Sequence, residues 1–296
     1  MISIFQALIL GLLQGVTELF PISSLGHSVL VAYVLNWTSV LNGTTNKASS
    51  FLLFLVVLHL ATATALLFYY RKTWIRIIKA FIFSLFKKDH DKKDAKLMWL
   101  LILATIPAGA VGLVFQSLLQ EQFAKPLGAI IFIFINGLIL YFADKRINSK
   151  RKRTDHALDL SREDVISDRL TAKRSFIIGL SQIFALLAGI SRSGITMVGG
   201  ILSGLNRDEA AEFSFLLATP IIFGAGLYKL PSVFSAKSNG LHTQMLIGAL
   251  ASGIAAYLAV RFLDKYFKRN SYKPFAFYCM GVGVFVLLVG FIRGNL

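Results

Sequence analysis

The chain is short of charge and shorter still of acid. Of its 296 residues only 16% are Asp, Glu, Lys or Arg, and 15 of those are acidic. It has one cysteine, Cys279, which excludes a disulfide framework and a cysteine-based metal cluster. The scarcity of charge excludes an ordinary soluble domain, because 55% of the residues are hydrophobic and the mean hydropathy is +0.66. The N-terminus carries no basic segment before its apolar run, so that run is expected to be retained rather than cleaved. What charge there is leans strongly basic, at +16 overall. Its distribution argues against a nucleic-acid partner: 24 of the 31 Lys and Arg fall in residues 71–96, 145–174 and 261–273, between apolar stretches. Basic residues gathered into such connectors follow the positive-inside rule and suit an anionic inner leaflet.

With so little acid, Glu18 stands out as the only carboxylate before Asp89. It lies in QGVTELFPISSLGH, residues 14–27, inside an otherwise apolar opening. Pro21, Ser23, Ser24 and Gly26 break the helical pattern there, since Pro lacks an N–H and Gly tolerates positive φ. A second copy of the pattern follows 168 residues later without a gap. Gly11, Leu12, Gln14, Leu19, Ile22, Ser23 and Gly26 recur as Gly179, Leu180, Gln182, Leu187, Ile190, Ser191 and Gly194. The second copy, SQIFALLAGISRSGIT, lacks the acid and the His and carries Arg192 where the first has Ser24.

The organisation expected from these patterns is an all-α polytopic membrane protein of two repeats. The first repeat, residues 1–144, has a re-entrant broken-helix hairpin at 3–35 and spans at 51–70, 97–119 and 127–142. A basic cytoplasmic connector occupies 145–174. The second repeat, 175–296, has a hairpin at 175–205 and spans at 213–230, 244–262 and 274–292. Neither arm of either hairpin reaches the ~20 residues a span needs. Placing the three basic segments inside gives the two hairpins opposite orientation. Inverted repeats with broken helices place their ligand site near the midplane, where the tips meet.

The tips carry the candidate chemistry. Arg192 is the only charged residue between Arg174 and Arg207, and a guanidinium in a membrane segment costs several kcal/mol unless paired or solvated. With Ser191, Ser193, Gly194 and Thr196 it offers a planar cation and neutral donors, which suits a phosphate; a structural ion pair with Glu18 is the plainer alternative. Glu18 suits a general acid or base, or a ligand for a divalent cation with Gln14 one helical turn away. Ser24 and His27, three residues apart, suit a nucleophile and base, and Ser23 adds a hydroxyl. His59 has no polar neighbour in sequence and reads as a core or interhelical hydrogen-bonding residue outside the site. Asp208, Glu209 and Glu212 read as a solvated helix start after Asn206. A membrane phosphatase and a transporter both remain open at this point.

The stretches QGVTELFPISSLGH and GISRSGIT are similar to the two signature stretches of the bacitracin-resistance type undecaprenyl-diphosphatases. These are integral membrane enzymes of bacterial cell-wall synthesis. The resemblance covers nearly the whole chain, including EFSFLLATP at 212–220 and the Lys273-Pro274-Phe275 opening of the last span. It implies hydrolysis of undecaprenyl diphosphate to the monophosphate and phosphate, a phosphoric anhydride hydrolysis that recycles the lipid carrier. It also implies dependence on a divalent cation (Mg2+ or Ca2+), a homodimer, bacitracin resistance, and a site facing the outer side of the plasma membrane. By position, Gln14 and Glu18 fill the family's acidic motif, whose first place is Glu in many members. Ser24 and His27 match its proposed nucleophile region, and Arg192 its diphosphate-binding Arg, with Ser191, Ser193 and Thr196 around it. Ala188 stands where the family often has Pro. The rival from another class is a polyprenyl-phosphate flippase using the same paired tips.

The charge argument makes a topological prediction. In a Cys279→Ser background, single cysteines placed in 36–50 and in 145–174 should react with a membrane-impermeant thiol reagent from opposite sides. Labelling of both from one side would overturn the inverted arrangement.

Overall fold

The computed structural model describes residues 2–37, 50–86, 91–116, 125–150, 162–234 and 240–294. Most of the 36–50 loop, residues 117–119 of the span expected at 97–119, and residues 151–161 of the connector lie outside the described residues. The described residues form twelve α-helices and one 3-10 turn and contain no strand. In order they are α1 (Ile4–Leu19), α2 (Ser24–Val34), α3 (Ser50–Tyr69), α4 (Arg71–Leu85), α5 (Lys92–Val114) and α6 (Pro126–Lys150). Then follow α7 (Arg162–Arg169), α8 (Ala172–Gln182), the 3-10 turn (Ile183–Leu186) and α9 (Arg192–Leu202). The chain ends with α10 (Arg207–Val233), α11 (His242–Tyr266) and α12 (Lys273–Ile292). Helices α3, α5, α6, α10, α11 and α12 are long and apolar enough to cross a membrane, so this is a multi-pass membrane protein. Most run several residues past the expected apolar cores, because polar residues continue a helix into the interface as readily as apolar ones.

Each half has one broken helix. Helix α1 opens with a capping box between Ser3 and Gln6 and stops at Phe20-Pro21. Ser23 takes a positive φ of 73° and caps α2, its Oγ accepting the Gly26 N–H at 3.3 Å. Ala32, late in α2, shares a buried cluster with Ala7 and Leu10, early in α1, so α2 folds back along α1. In the second half α9 folds back along α8: a Cβ on Gly199 would sit 3.5 Å from the Ile178 Cα.

Small residues set how closely these arms pack. A Cβ on Gly11 would collide with the Gly248 carbonyl, and one on Gly15 with the Ser252 carbonyl, so α1 lies backbone to backbone against α11. On another side of α11, Leu246, Leu250, Ile254, Leu258 and Phe262 recur every fourth residue and are exposed, which is a lipid-facing stripe. Helix α4, at the start of the first basic segment, is amphipathic. It buries Trp74, Ile77 and Ala80 and exposes Lys72, Arg76 and Lys79 together with Ile75, Ile78 and Ile82.

The helix start after Asn206 is not the solvated one expected. Glu209 and Glu212 are buried, and Glu209 accepts from Arg169 Nη1 at 2.9 Å as well as from the Asn206 N–H at 2.8 Å. The polar composition that suggested solvent serves instead to close a helix junction. Beside it Arg207 donates to Asp144 Oδ1 at 2.7 Å, the Tyr272 N–H donates to the same oxygen at 3.1 Å, and Tyr272 Oη donates to the Arg207 carbonyl. One buried carboxylate thus joins α6, α10 and the start of α12.

Removing one partner of a buried ion pair is far more costly than removing an exposed one. Asp144→Ala should lower unfolding stability in detergent by about 3–5 kcal/mol. Asp168→Ala, which removes the exposed Lys93 pair at 2.9 Å, should cost ~1 kcal/mol or less. Thermal unfolding of the two variants side by side checks the contrast.

Candidate active site

The two helix breaks meet. A Cβ on Gly26 would lie 2.9 Å from the Gly189 Cα, and Gly189 itself needs a φ of +111°. Only glycine allows both that approach and that backbone conformation. Two side chains lace the breaks together. Ser193 Oγ donates to the Phe20 carbonyl at 3.0 Å. Asn136 of α6 donates from Nδ2 to the Pro21 carbonyl at 2.9 Å and accepts the Ser191 N–H on Oδ1 at 3.0 Å. Asn136 therefore satisfies one backbone group of each tip.

Glu18 is the centre of the polar cluster. Its Oε1 accepts from Arg192 Nε at 3.3 Å and Nη2 at 3.2 Å. Its Oε2 accepts from Ser24 Oγ at 2.5 Å and from Gln14 Nε2 at 3.2 Å. His59 Nε2, from α3, stands 3.4 Å from that same Oε2. Glu18 is 7% exposed and the Arg192 side chain 12%, so the cluster is enclosed but reachable. Arg192 Nη1 also donates to the Ser214 carbonyl at 3.2 Å. A guanidinium has five N–H donors, and three are used here.

The remaining sequence candidates surround this centre in distinct roles. Ser191 caps α9 by accepting the Gly194 N–H at 3.1 Å, and its Oγ lies 3.0 Å from that of Ser193. Thr196 Oγ1 is 2.6 Å from Ser214 Oγ of α10, which ties α9 to that span. Ser23 supplies the cap of α2 and a carbonyl to His27.

Ser24 and His27 do not form a pair. His27 Nδ1 is 2.7 Å from the Ser23 carbonyl, which only accepts, so Nδ1 carries the hydrogen. Its Nε2 is 3.0 Å from Tyr278 Oη, and the two rings stack with centroids 5.5 Å apart. The expected dyad fails because the first turn of α2 lays the imidazole along its own carbonyl ladder, while Ser24 points back to Glu18.

Sequence reasoning placed His59 and Asn136 outside the site or passed over them, along with Ser214 and Tyr278. His59 is an interhelical hydrogen-bonding residue as read, but its partner is the site carboxylate. The one available signal was the isolation of each polar residue within an apolar span, which marks a buried partner without naming it.

The donors do not form a metal cage. Among the described residues no three His, Cys, Asp or Glu side chains converge as cation ligands. Both Glu18 oxygens are occupied by donors, and Gln14 turns its amide N–H toward Glu18 while its Oε1 has no hydrogen bond. A carboxylate ringed by a guanidinium, a hydroxyl and an amide N–H is already neutralised and hydrogen-bonded, and is a poor ligand for a divalent metal ion.

With this geometry in view, comparison with known proteins is informative. The family described as "Bacitracin resistance protein BacA" matches residues 7–285. The chain belongs to this family. Among BacA-related proteins, "Undecaprenyl-diphosphatase" of Mycolicibacterium paratuberculosis is 42% identical over 95% of this chain and 95% of its own length. "Undecaprenyl-diphosphatase 2" of Burkholderia ambifaria is 42% identical over 96% of each chain. A protein of the same name from Frankia alni is 40% identical over 94% of this chain and 95% of its own. The BacA match spans both tips, Glu18 and Arg192 included.

Asn136 provides a test of how the tips are held. Asn136→Ala strands a buried backbone donor on one tip and an acceptor on the other. It should cost about 1–3 kcal/mol for each group left without its partner. The expected result is a lower unfolding temperature in detergent with helix content unchanged by circular dichroism.

Proposed function

We propose that this chain is an undecaprenyl-diphosphatase, hydrolysing the diphosphate of a membrane lipid carrier to the monophosphate and inorganic phosphate. The observation that carries this reading is the cluster of Glu18, Ser24 and Arg192 at the meeting of two broken helices. BacA membership and relatives named for this activity support it. The hydrocarbon tail lies among the lipid-facing spans while the headgroup reaches the tips. Arg192 directs its two unused N–H donors at the phosphoryl group, a bidentate fork for phosphate oxygens. Glu18 accepts the proton of the attacking oxygen, either that of Ser24, already hydrogen-bonded to it, or that of a water. The new oxygen–phosphorus bond forms as the bond from the terminal phosphorus to the bridging oxygen breaks, whose electron pair leaves with the lipid monophosphate; where Ser24 attacks, a water then hydrolyses the phosphoserine and releases inorganic phosphate. His27 fixes the Ser23 carbonyl and with it the turn that presents Ser24. Arg192 and the N-terminal N–H groups of α9 stabilise charge developing on the phosphoryl oxygens.

The same reading takes the halves as inverted repeats in the bacterial plasma membrane, with the basic segments inside and the site opening outward. The pairing of the two broken helices and the charge distribution support it. Resemblance to the family supports a homodimer, a role in cell-wall carrier recycling and resistance to bacitracin. A divalent cation would supply further neutralisation of the diphosphate's charge in this reading; Glu18 and Gln14 are hydrogen-bonded to each other and do not offer it a cage.

Purified protein in detergent should release inorganic phosphate from a polyprenyl diphosphate. Arg192→Ala and Ser24→Ala should each reduce release by about two to three orders of magnitude while remaining monodisperse. A well-folded wild type that releases no phosphate, yet binds the lipid monophosphate through Arg192, would favour the flippase, for which paired tips are also a known architecture.

A further inference from the structure

Resting on that reading, we infer that His59 is a positioning residue for the reaction. It carries a proton on Nε2 that holds Glu18 Oε2 ionised and aimed at Ser24. His59 Nδ1 lies 2.8 Å from the Leu55 carbonyl, and a carbonyl only accepts, so Nδ1–H is the donor there. The other nitrogen, Nε2, faces Glu18 Oε2 at 3.4 Å. That oxygen already accepts from Ser24 Oγ and Gln14 Nε2, and its twin accepts two N–H groups of Arg192. Four donated hydrogens describe a carboxylate, not a carboxylic acid. A bare Nε2 lone pair facing a carboxylate oxygen is repulsive, so the contact requires a hydrogen on Nε2. With Nδ1–H already assigned, His59 is an imidazolium.

This changes the charge of the site. Glu18 and Arg192 alone cancel, and a neutral pair has little reason to attract a diphosphate. The charged groups acting on His59 are Glu18 from α1 and Arg192 from α9. Among other neighbours, α2 brings the Ser24 hydroxyl to the shared oxygen, and α11 brings the Ser252 hydroxyl to the Leu58 carbonyl. One carboxylate between two cations leaves a net positive well, partly open through His59, whose side chain is 28% exposed. The imidazolium also sits across Oε2 from Ser24. It therefore fixes the direction in which Glu18 takes the nucleophile's proton.

The test compares wild type with His59→Gln and His59→Ala, using farnesyl diphosphate as substrate and kcat/KM as a function of pH. Glutamine keeps an N–H donor but cannot titrate. Wild-type activity should fall on the alkaline side as the imidazolium loses its proton. His59→Gln keeps the donor but not the charge, so it should hold kcat within a few-fold of wild type at neutral pH, raise KM, and lack that alkaline fall. His59→Ala should lose about tenfold to a hundredfold, as expected for a displaced catalytic group. Unfolding temperature in detergent establishes that each variant is folded. An alanine variant as active as wild type, or a glutamine variant whose pH profile superimposes on wild type, would overturn the inference. Failure of the phosphatase reading shows separately, as absence of phosphate release by wild type. The same comparison is then made on farnesyl monophosphate binding, whose affinity should weaken with rising pH in wild type and not in His59→Gln. Equal pH dependence in both would again overturn it.

Discussion

The ion pair between Glu18 and Arg192 is the constraint on which the rest of the arrangement depends. Each is isolated in its own apolar stretch of sequence, and each alone would be an unpaired charge in a membrane protein, at a cost of several kcal/mol. Together, at 3.2 Å, they compensate one another, but only if two chain segments 174 residues apart are brought to one point. That requirement explains the local irregularities. The breaks at Pro21 and at 187–191 free backbone groups, the bare backbones of Gly26 and Gly189 let the tips touch, and Asn136 and Ser193 satisfy the carbonyls that the breaks expose. An apolar environment tolerates irregular backbone only where the protein itself supplies such partners.

Much of this was legible in the residues, because a membrane simplifies what sequence must encode. Six spans follow from apolar length, and the broken hairpins follow from a repeat whose offset needs no gap. The closeness of Glu18 and Arg192 was to be expected from matching breaks in the two copies of the pattern. What was not legible depends on side-chain direction. Nothing in the sequence around His59 shows that α3 turns it toward Glu18, and nothing around Asn136 shows that it bridges both tips. Ser24 and His27 are spaced as a pair on an ideal helix. The N-terminal position of Ser24 in α2 frees its hydroxyl for Glu18, while His27 settles on the Ser23 carbonyl. Glu209 and Glu212 misled for a related reason: a run of acids after Asn has the composition of a wet helix start, and only tertiary packing decides that Arg169 covers it.

The two copies of the sequence pattern carry different polar residues rather than the same set twice. Ser24 and Arg192 occupy equivalent positions, as do Gly26 and Gly194, yet one tip supplies acid and hydroxyl and the other supplies the cation. The second tip's serines are largely spent on scaffold: Ser191 caps α9 and Ser193 holds Phe20. Each tip is therefore chemically incomplete alone. A site built this way exists only in the assembled fold, which couples the chemistry to the packing of α1 on α11 and of α6 on both tips.

A carboxylate beside the only cation in the second tip is, for anion binding, the wrong neighbour. Glu18 competes with phosphate for Arg192 and repels it. A site selected for binding alone would carry a neutral residue there, and a purely structural pair would not need the hydroxyl of Ser24 at 2.5 Å. The acid is consistent with a phosphate site if it does something a neutral residue cannot, and accepting the nucleophile's proton is such a task. Its repulsion must then be offset by further positive charge, and among the described residues the only other group within reach of its oxygens able to carry one is His59. An acid beside a guanidinium and an imidazole, with a hydroxyl on the acid, is the set of groups that a single small cluster would need both to attract a diphosphate and to activate an oxygen against it.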